Sequence, residues 1–281
     1  MIPVFADAGW LTIPAALLLA GVVWFSVRYA WWRRGLVWER PRILMYHLIT
    51  PHPTGTNYRG LRVPPEMLAR QLAWLRARGF HFATMSELLA GPVPPRTVVL
   101  TFDDGYADNF TAAHPLLLKY GAKATLYLVA VRDDGADWSA KKKSHHNSGE
   151  LVREPKLTDA QVREMLASGA WELGAHTLTH PLLATLTPEQ RRAEISGSRQ
   201  RLQETFGVPV ESFAYTFGLW GEDDRAAVAE AGFTTAVTTD AGADALPFSD
   251  PLTVKRIKIS GKEGMLAFSI RLRTGRRGLW K

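Results

Sequence analysis

From residue 42 onward, short apolar runs alternate with stretches whose apolar positions recur every three or four residues. The runs predict strands and the stretches predict helices. "RILMYHLI" (42–49) is expected as a buried strand. In "PPEMLARQLAWLRARG" (64–79), Met67, Leu68, Leu72 and Leu75 are at helix spacing, and Gly79 stops the helix. "FHFATM" predicts a short strand and "SELLAG" a short helix with Ser86 as its N-cap. "TVVLTF" (97–102) is rich in β-branched residues, as a central strand would be. A helix is expected from about Asn109 to Tyr120, ended by Gly121, then a strand in "KATLYLVAV" (123–131). Residues 132–157 are polar and aperiodic and predict a long surface loop. A helix capped by Thr158 with Gln161 three residues on comes next, then the strand "WELGAHT". Thr187 and Pro188 open a long helix. "ESFAYTFG", "FTTAVTT" and "LTVKRIKIS" predict strands, with "EDDRAAVAEAG" and "KEGMLAFSIRLRTG" as helices. Such alternation implies an α/β fold of parallel strands joined by right-handed crossovers. About seven units make a closed or nearly closed, distorted (β/α) barrel with its functional residues at the C-terminal strand ends.

The N-terminal pattern differs. Residues 11–27, "LTIPAALLLAGVVWFSV", carry no charge, and with Gly9 and Trp10 the run is long enough to cross a bilayer. Trp10, Trp24, Tyr29, Trp31 and Trp32 have the character of interfacial aromatics. Only Asp7 is charged ahead of the run, and no small-x-small pattern precedes the arginines that follow it, so a retained single-pass anchor is expected over a cleaved signal. Residues 1–38 then form an anchor with a basic juxtamembrane segment, and residues 39–281 form the catalytic domain. The formal net charge is +7, concentrated at Arg28, Arg33, Arg34, Arg40 and Arg42 and again at Arg271, Arg273, Arg276, Arg277 and Lys281. With no nucleic-acid motif in the chain, this favours contact with a membrane surface. The charge placement puts the domain on the cytoplasmic side. The absence of cysteine excludes disulfides, thiolate metal sites and a cysteine nucleophile. Oligomeric state is left open.

The predicted strand ends carry the chemistry. His47 ends the first strand, Asp103 and Asp104 follow "VVLTF", His176 and His180 follow "WELGA", and Tyr215 to Gly218 follow "ESFA". Alone, Asp-Asp-Gly reads as a turn. A parallel barrel brings all these positions to one face, and there a carboxylate with two histidines is a set for a divalent metal with open positions. One aspartate can bind the metal while the other acts as general base toward its water.

These residues carry a resemblance. "TFDDGYADN" and "HTLTHPLL" resemble the first two motifs of the polysaccharide deacetylase family, also called the NodB-homology or carbohydrate esterase 4 family. "FAYTFG" resembles its third motif, as "FAYPFG" in the branch acting on poly-N-acetylglucosamine, and the likeness covers about residues 42–260. It implies a metal-dependent N-deacetylase acting on an N-acetylated glycan, and it suggests an extracytoplasmic domain, against the side that the charge placement suggests. It also implies Asp103 as catalytic base and Asp104, His176 and His180 as ligands of a zinc-type cation, with Co2+ or Ni2+ as alternatives. Phe217 is implied as oxyanion donor through its backbone N–H, and Tyr215 and Phe217 as substrate contacts. Three departures stand out. Ala214 occupies the place of the arginine that orients the base in many members, and Thr216 replaces a usual proline. "VKRIKIS" lacks the histidine that serves as general acid, so His47, His145 or His146 is expected to substitute. Lys141–Lys143 read as a solvated stretch. Two other readings are a deacetylase or deformylase of a lipid-linked sugar and a catalytically impaired carbohydrate-binding homologue, the latter motivated by the missing arginine and acid.

Overall fold

The sheet closes on its longest, fully buried strand. The computed structural model describes residues 9–132, 149–276 and 278. Strand β3 (Thr97–Asp104) pairs with β1 (Arg42–Tyr46) and with β4 (Ala124–Leu128). From β4 the sheet runs through β5 (Trp171–Ala175), β6 (Ser212–Ala214), β7 (Thr235–Ala241) and β8 (Val254–Lys258) back to β1. The ring has seven strands and every pairing in it is parallel. β2 (His81–Ala83) lies outside it, on Thr97–Val99, just ahead of the span that β4 takes. The expected distortion lies between β5 and β8. One residue pair, Ala175 with Phe213, joins β5 to β6, and the β7–β8 register shifts between Val237 and Ala241.

Strand periodicity decides what enters the barrel. Successive side chains on a strand face opposite ways. Leu44, Tyr46, Val98, Leu100, Phe102, Leu126 and Ile257 share the main core with residues of the surrounding helices. Ile43, Val99, Tyr127, Ala214, Val237 and Val254 form a second, interior cluster. Counting on by two from Val99 and Val254 puts Asp103 and Arg256 inside as well.

Helices α2 (Pro65–Ala77), α3 (Met85–Leu89), α4 (His114–Tyr120), α5 (Asp159–Ala167), α6 (Pro188–Phe206), α7 (Glu222–Glu230) and α8 (Met265–Thr274) supply the outer layer. Thr158–Gln161 and Thr187–Gln190 form reciprocal capping boxes. The α3 cap departs from expectation. It is Thr84, whose side chain accepts from the Glu87 N–H while Glu87 accepts from the Thr84 N–H. Met85 is already helical and buried, so Ser86 falls inside the first turn. β6 is also shorter than expected. It stops at Ala214, and Thr216–Gly218 form a 3-10 turn.

Helix α1 (Gly9–Tyr29) has 21 residues, about 31 Å at 1.5 Å per residue, close to the apolar thickness of a bilayer. Ile13, Leu17, Leu18, Leu19, Val22, Val23 and Trp24 are exposed along it. Its C-terminal end is built into the domain. Arg28 pairs with Glu263 at 2.7 Å, and Ala30 is buried. Arg273 donates to the carbonyls of Trp31 and Arg33, and its own carbonyl accepts from the Leu36 N–H at 2.8 Å. The expected loop at 132–157 is described only at its two ends. Lys141–Lys143, His145 and His146 lie outside the described residues. Its returning part runs along the barrel mouth, where Ala107 donates to Pro155 and Leu157 to Gly105.

Removing the Thr84 oxygen frees the helix-end N–H of Glu87 from its partner. Thr84→Ala is expected to cost about 1 kcal/mol in urea unfolding, and Thr84→Ser close to nothing.

Candidate active site and metal centre

Adjacent residues on a regular strand point to opposite faces, yet here two adjacent carboxylates serve one site. Asp103 follows the alternation inward. Asp104 has φ of +78°, a left-handed conformation uncommon for a residue with a Cβ. That turn carries its carboxylate to the histidines of the β5 end: Oδ1 is 3.3 Å from His176 Nε2 and 3.5 Å from His180 Nε2. Gly105 completes the bend at φ of +85°, where a Cβ would sit 2.3 Å from Leu128 Cδ1.

The "HTLTH" segment is held by its neighbours. Thr177 and His180 are also left-handed, with φ of 65° and 60°. Glu194 of α6 fastens the loop by accepting from the N–H groups of Leu178 and Thr179 at 2.9 Å each. His176 Nδ1 lies 2.7 Å from the Ala214 carbonyl, which makes Nδ1 the protonated nitrogen and leaves the Nε2 lone pair for the site. The His176 and His180 rings lie 4.9 Å apart, and Phe217 packs edge-on against His180 at the same distance.

One donor atom from each of Asp104, His176 and His180 lies within 4.8 Å of the others, and all three residues are buried. Burial disfavours charge on Asp104, but the His176 hydrogen bond and the nearby imidazoles outweigh it and hold the carboxyl far below its ordinary range. Burial holds His180 down at about 4. His176 is also opposed by burial, but Asp104 raises it above its usual value. One anionic oxygen and two imidazole nitrogens converging in a dry pocket fit a borderline divalent cation.

Asp103 has a different partner. Both of its oxygens are taken by Arg256 of β8, Nη1 to Oδ1 at 2.6 Å and Nη2 to Oδ2 at 2.8 Å. The arginine is 1% exposed. It also donates from Nε to the Thr238 carbonyl at 2.9 Å and from Nη1 to Thr101 Oγ1 at 3.0 Å. Its guanidinium carbon lies 5.7 Å from the Tyr127 ring centroid. Burial works against the Asp103 charge, but Arg256 and His47 outweigh it and keep the group below its ordinary pKa. The arginine expected at Ala214 is therefore supplied in space from another strand. The signal was present in "VKRIK", where Arg256 falls on the same face as Val254.

His47 follows β1, with Nε2 3.9 Å from Asp103 Oδ2. Burial lowers its pKa despite Asp104 and Asp103. Asn109 donates to the His47 carbonyl at 2.8 Å and fixes the backbone there. Tyr106 went unnoticed in the sequence. It is buried, and its hydroxyl hydrogen-bonds Asp104. Next to it, burial pulls Lys156 down to about 8 and pushes Asp108 up to about 6. The Tyr215 side chain is 0% exposed and its hydroxyl donates to the Leu252 carbonyl at 3.0 Å, so it supports the turn from within the core. Phe217 is half-buried at the site, in a left-handed conformation with φ of 59°.

A parallel barrel with an Asp-His-His cluster beside a clamped carboxylate is an arrangement that could hold a divalent cation next to an oriented carboxylate. The polysaccharide deacetylase family model matches residues 90–236, just over half the chain. The protein YxkH of Bacillus subtilis (strain 168), which carries the same family designation, is 32% identical over 206 residues, covering 72% of this chain and 65% of its own length. A poly-β-1,6-N-acetyl-D-glucosamine N-deacetylase of Staphylococcus aureus is 25% identical over 202 residues, covering 68% and 65%. The match thus spans just under two thirds of these relatives. Among solved structures, a deacetylase of Streptococcus pyogenes, PplD in complex with acetate, superposes with a TM-score of 0.66 at 25% identity, covering 80% of this chain and 94% of that one. A polysaccharide deacetylase from Bacillus cereus reaches 0.70 at 24% identity, covering 83% and 69%, and shares the fold. The chain belongs to the polysaccharide deacetylase family.

Two measurements probe this geometry. Arg256→Lys keeps a charge but loses the two-pronged grip, so kcat on a substrate that is turned over is expected to fall at least tenfold. A looser clamp raises the Asp103 pKa, so, on the reading of Asp103 as general base, the acid limb of the pH–rate profile is expected to move to higher pH. Asp108 ionises near 3.8 when unfolded and about 6 when folded, so the folded state binds more protons between those values. Its contribution is fully present below 3.8 and is lost as pH rises through about 6. Asp108→Asn removes that slope and is expected to stabilise the protein by about 1 to 2 kcal/mol at pH 7.5, with no gain at pH 3.5.

Proposed function

We propose that this protein is a metal-dependent N-deacetylase that hydrolyses acetamide groups of an N-acetylglucosamine-type polysaccharide and releases acetate. The observation that carries the reading is the division of the Asp103–Asp104 pair, one carboxylate clamped by Arg256 and the other set among His176 and His180. Asp104, His176 and His180 would hold a divalent cation, zinc in first place with Co2+ or Ni2+ as alternatives. When bound, that cation supplies a Lewis acid for the acetamide carbonyl and lowers the pKa of a water. The chain's own residues move the proton. Asp103 is oriented by Arg256 and takes a proton from the attacking water. His47, neutral at rest, lies beside Asp103 and relays that proton to the departing nitrogen as the C–N bond breaks. A C–O bond forms and a C–N bond breaks, and the products are acetate and a free amine on the sugar. The backbone N–H of Phe217 steadies the oxyanion, and its ring contacts the sugar. By supplying the clamp absent at Ala214, Arg256 supports an active enzyme over an impaired carbohydrate-binding homologue.

Residues 1–38 are the membrane anchor and juxtamembrane segment in this reading, and 39–281 the catalytic domain. The ties from Arg28, Ala30 and Leu36 to the barrel support an anchor that is retained. They also favour a second reading, in which the substrate is a sugar carried on a membrane lipid.

Full-length protein loaded with Zn2+ is expected to release acetate from N-acetylglucosamine oligomers. Asp103→Asn should lower kcat by roughly a thousandfold with metal content unchanged, and His176→Ala or His180→Ala should lose the metal itself. Acetate release from a polyprenyl-linked sugar but never from free oligomers would replace the first reading with the second. Release from neither would refute both.

A further inference from the structure

A second concave feature lies away from the Asp-His-His cluster. A groove of 470 Å³ lies where α2 ends and β2 and β3 begin, lined among others by Trp38, Trp74, Phe80, Arg78, Arg96 and Arg273. Its floor is aromatic. Trp38 and Trp74 both pack against Phe80, with centroids 5.5 Å and 6.0 Å away. Its rim is cationic and contains no acid. By comparison, Arg62, Arg132, Arg191 and Arg225 each hold a carboxylate. Among the described residues, no carboxylate pairs with Arg78, Arg96 or Arg273.

The guanidinium of Arg78 lies over the Trp74 ring at 4.0 Å, and that of Arg96 over Trp38 at 5.6 Å. A guanidinium stacked on a ring keeps its N–H donors free for a tetrahedral anion. Arg96 also donates to the Arg78 backbone carbonyl at 2.7 Å, which ties the two residues together at the groove. The groove is continuous with the anchor, since Arg273 on its wall is the residue that holds the Trp31 and Arg33 carbonyls just after α1. Trp31 and Trp32 are exposed there. An aromatic floor suits an apolar tail, an unmatched cationic rim suits a phosphate, and the neighbouring turn belongs at a bilayer surface.

We propose that this groove binds one anionic phospholipid of the bilayer that α1 spans, its phosphate on Arg78 and Arg96 and its glycerol and upper chains against Trp38 and Trp74. The proposal rests on the anchor reading and is independent of the deacetylase chemistry. The ligand thereby locks the barrel against the membrane at a fixed face.

Native mass spectrometry of the delipidated, detergent-purified full chain tests it, with dioleoylphosphatidylglycerol and dioleoylphosphatidylcholine as probes. One phosphatidylglycerol is expected to be retained at a concentration at least tenfold lower than phosphatidylcholine requires. Arg78→Glu with Arg96→Glu should abolish that preference while the chain stays folded, as both side chains are exposed. Trp74→Ala should weaken retention of both lipids. Equal retention of the two lipids by the wild type, or undiminished phosphatidylglycerol preference in the double variant, overturns the groove as the site. Alkaline carbonate extraction separates the two ways of failing. A chain that leaves the membrane defeats the anchor and the groove together, and a chain that stays without lipid preference defeats the groove alone.

Discussion

The buried ion pair between Asp103 and Arg256 is the constraint around which the barrel is arranged. A charge pair taken out of water gains little unless its remaining donors and acceptors are also met. Here they are met from both ends of the chain's strand order: Thr101 on β3, the Tyr127 ring on β4 and Thr238 on β7. The pair therefore needs the sheet to be closed. Opening the ring at β1 or β8 would leave a carboxylate in an apolar interior with nothing to balance it, a state worth several kcal/mol. The same pair that demands closure also fixes the orientation of the Asp103 carboxylate.

The second constraint is local. Two adjacent carboxylates would repel if they shared one environment, and the chain separates them by backbone conformation. Asp103 keeps strand geometry and meets an arginine, whereas Asp104 turns through a left-handed φ and meets two imidazoles. Left-handed residues recur at Thr177, His180 and Phe217, so strain gathers at this end of the barrel. Each such conformation costs on the order of 1 kcal/mol or more, and Glu194 and the packed core beneath offset it.

Much of this was legible in the sequence, for identifiable reasons. Strand and helix periods are strong in this chain, and the capping boxes at Thr158 and Thr187 follow from local hydrogen bonding alone. The convergence of Asp104, His176 and His180 follows from the rule that strand ends of a parallel barrel share a face. What escaped depends on contacts between distant segments. Arg256 is one charge in a short alternating strand, and only the ring brings it to Asp103. Tyr215 looked like a substrate contact because it adjoins the site in sequence, but its position after β6 turns it into the core. Thr84 lost out to Ser86 because the last residue of a strand and the cap of the next helix are separated only by a change of ψ.

The family resemblance is dense between residues 90 and 236, yet the ring extends beyond both limits. β1, which carries His47 at its end, precedes that interval, and β8, which carries Arg256, follows it. A fragment cut to the recognisable interval would keep both aspartates and both histidines. It would lose two of the seven staves and most of a third, β7, together with the partner of one aspartate and the imidazole beside it. The motifs that identify the family are thus narrower than the smallest piece of chain that can assemble its chemistry.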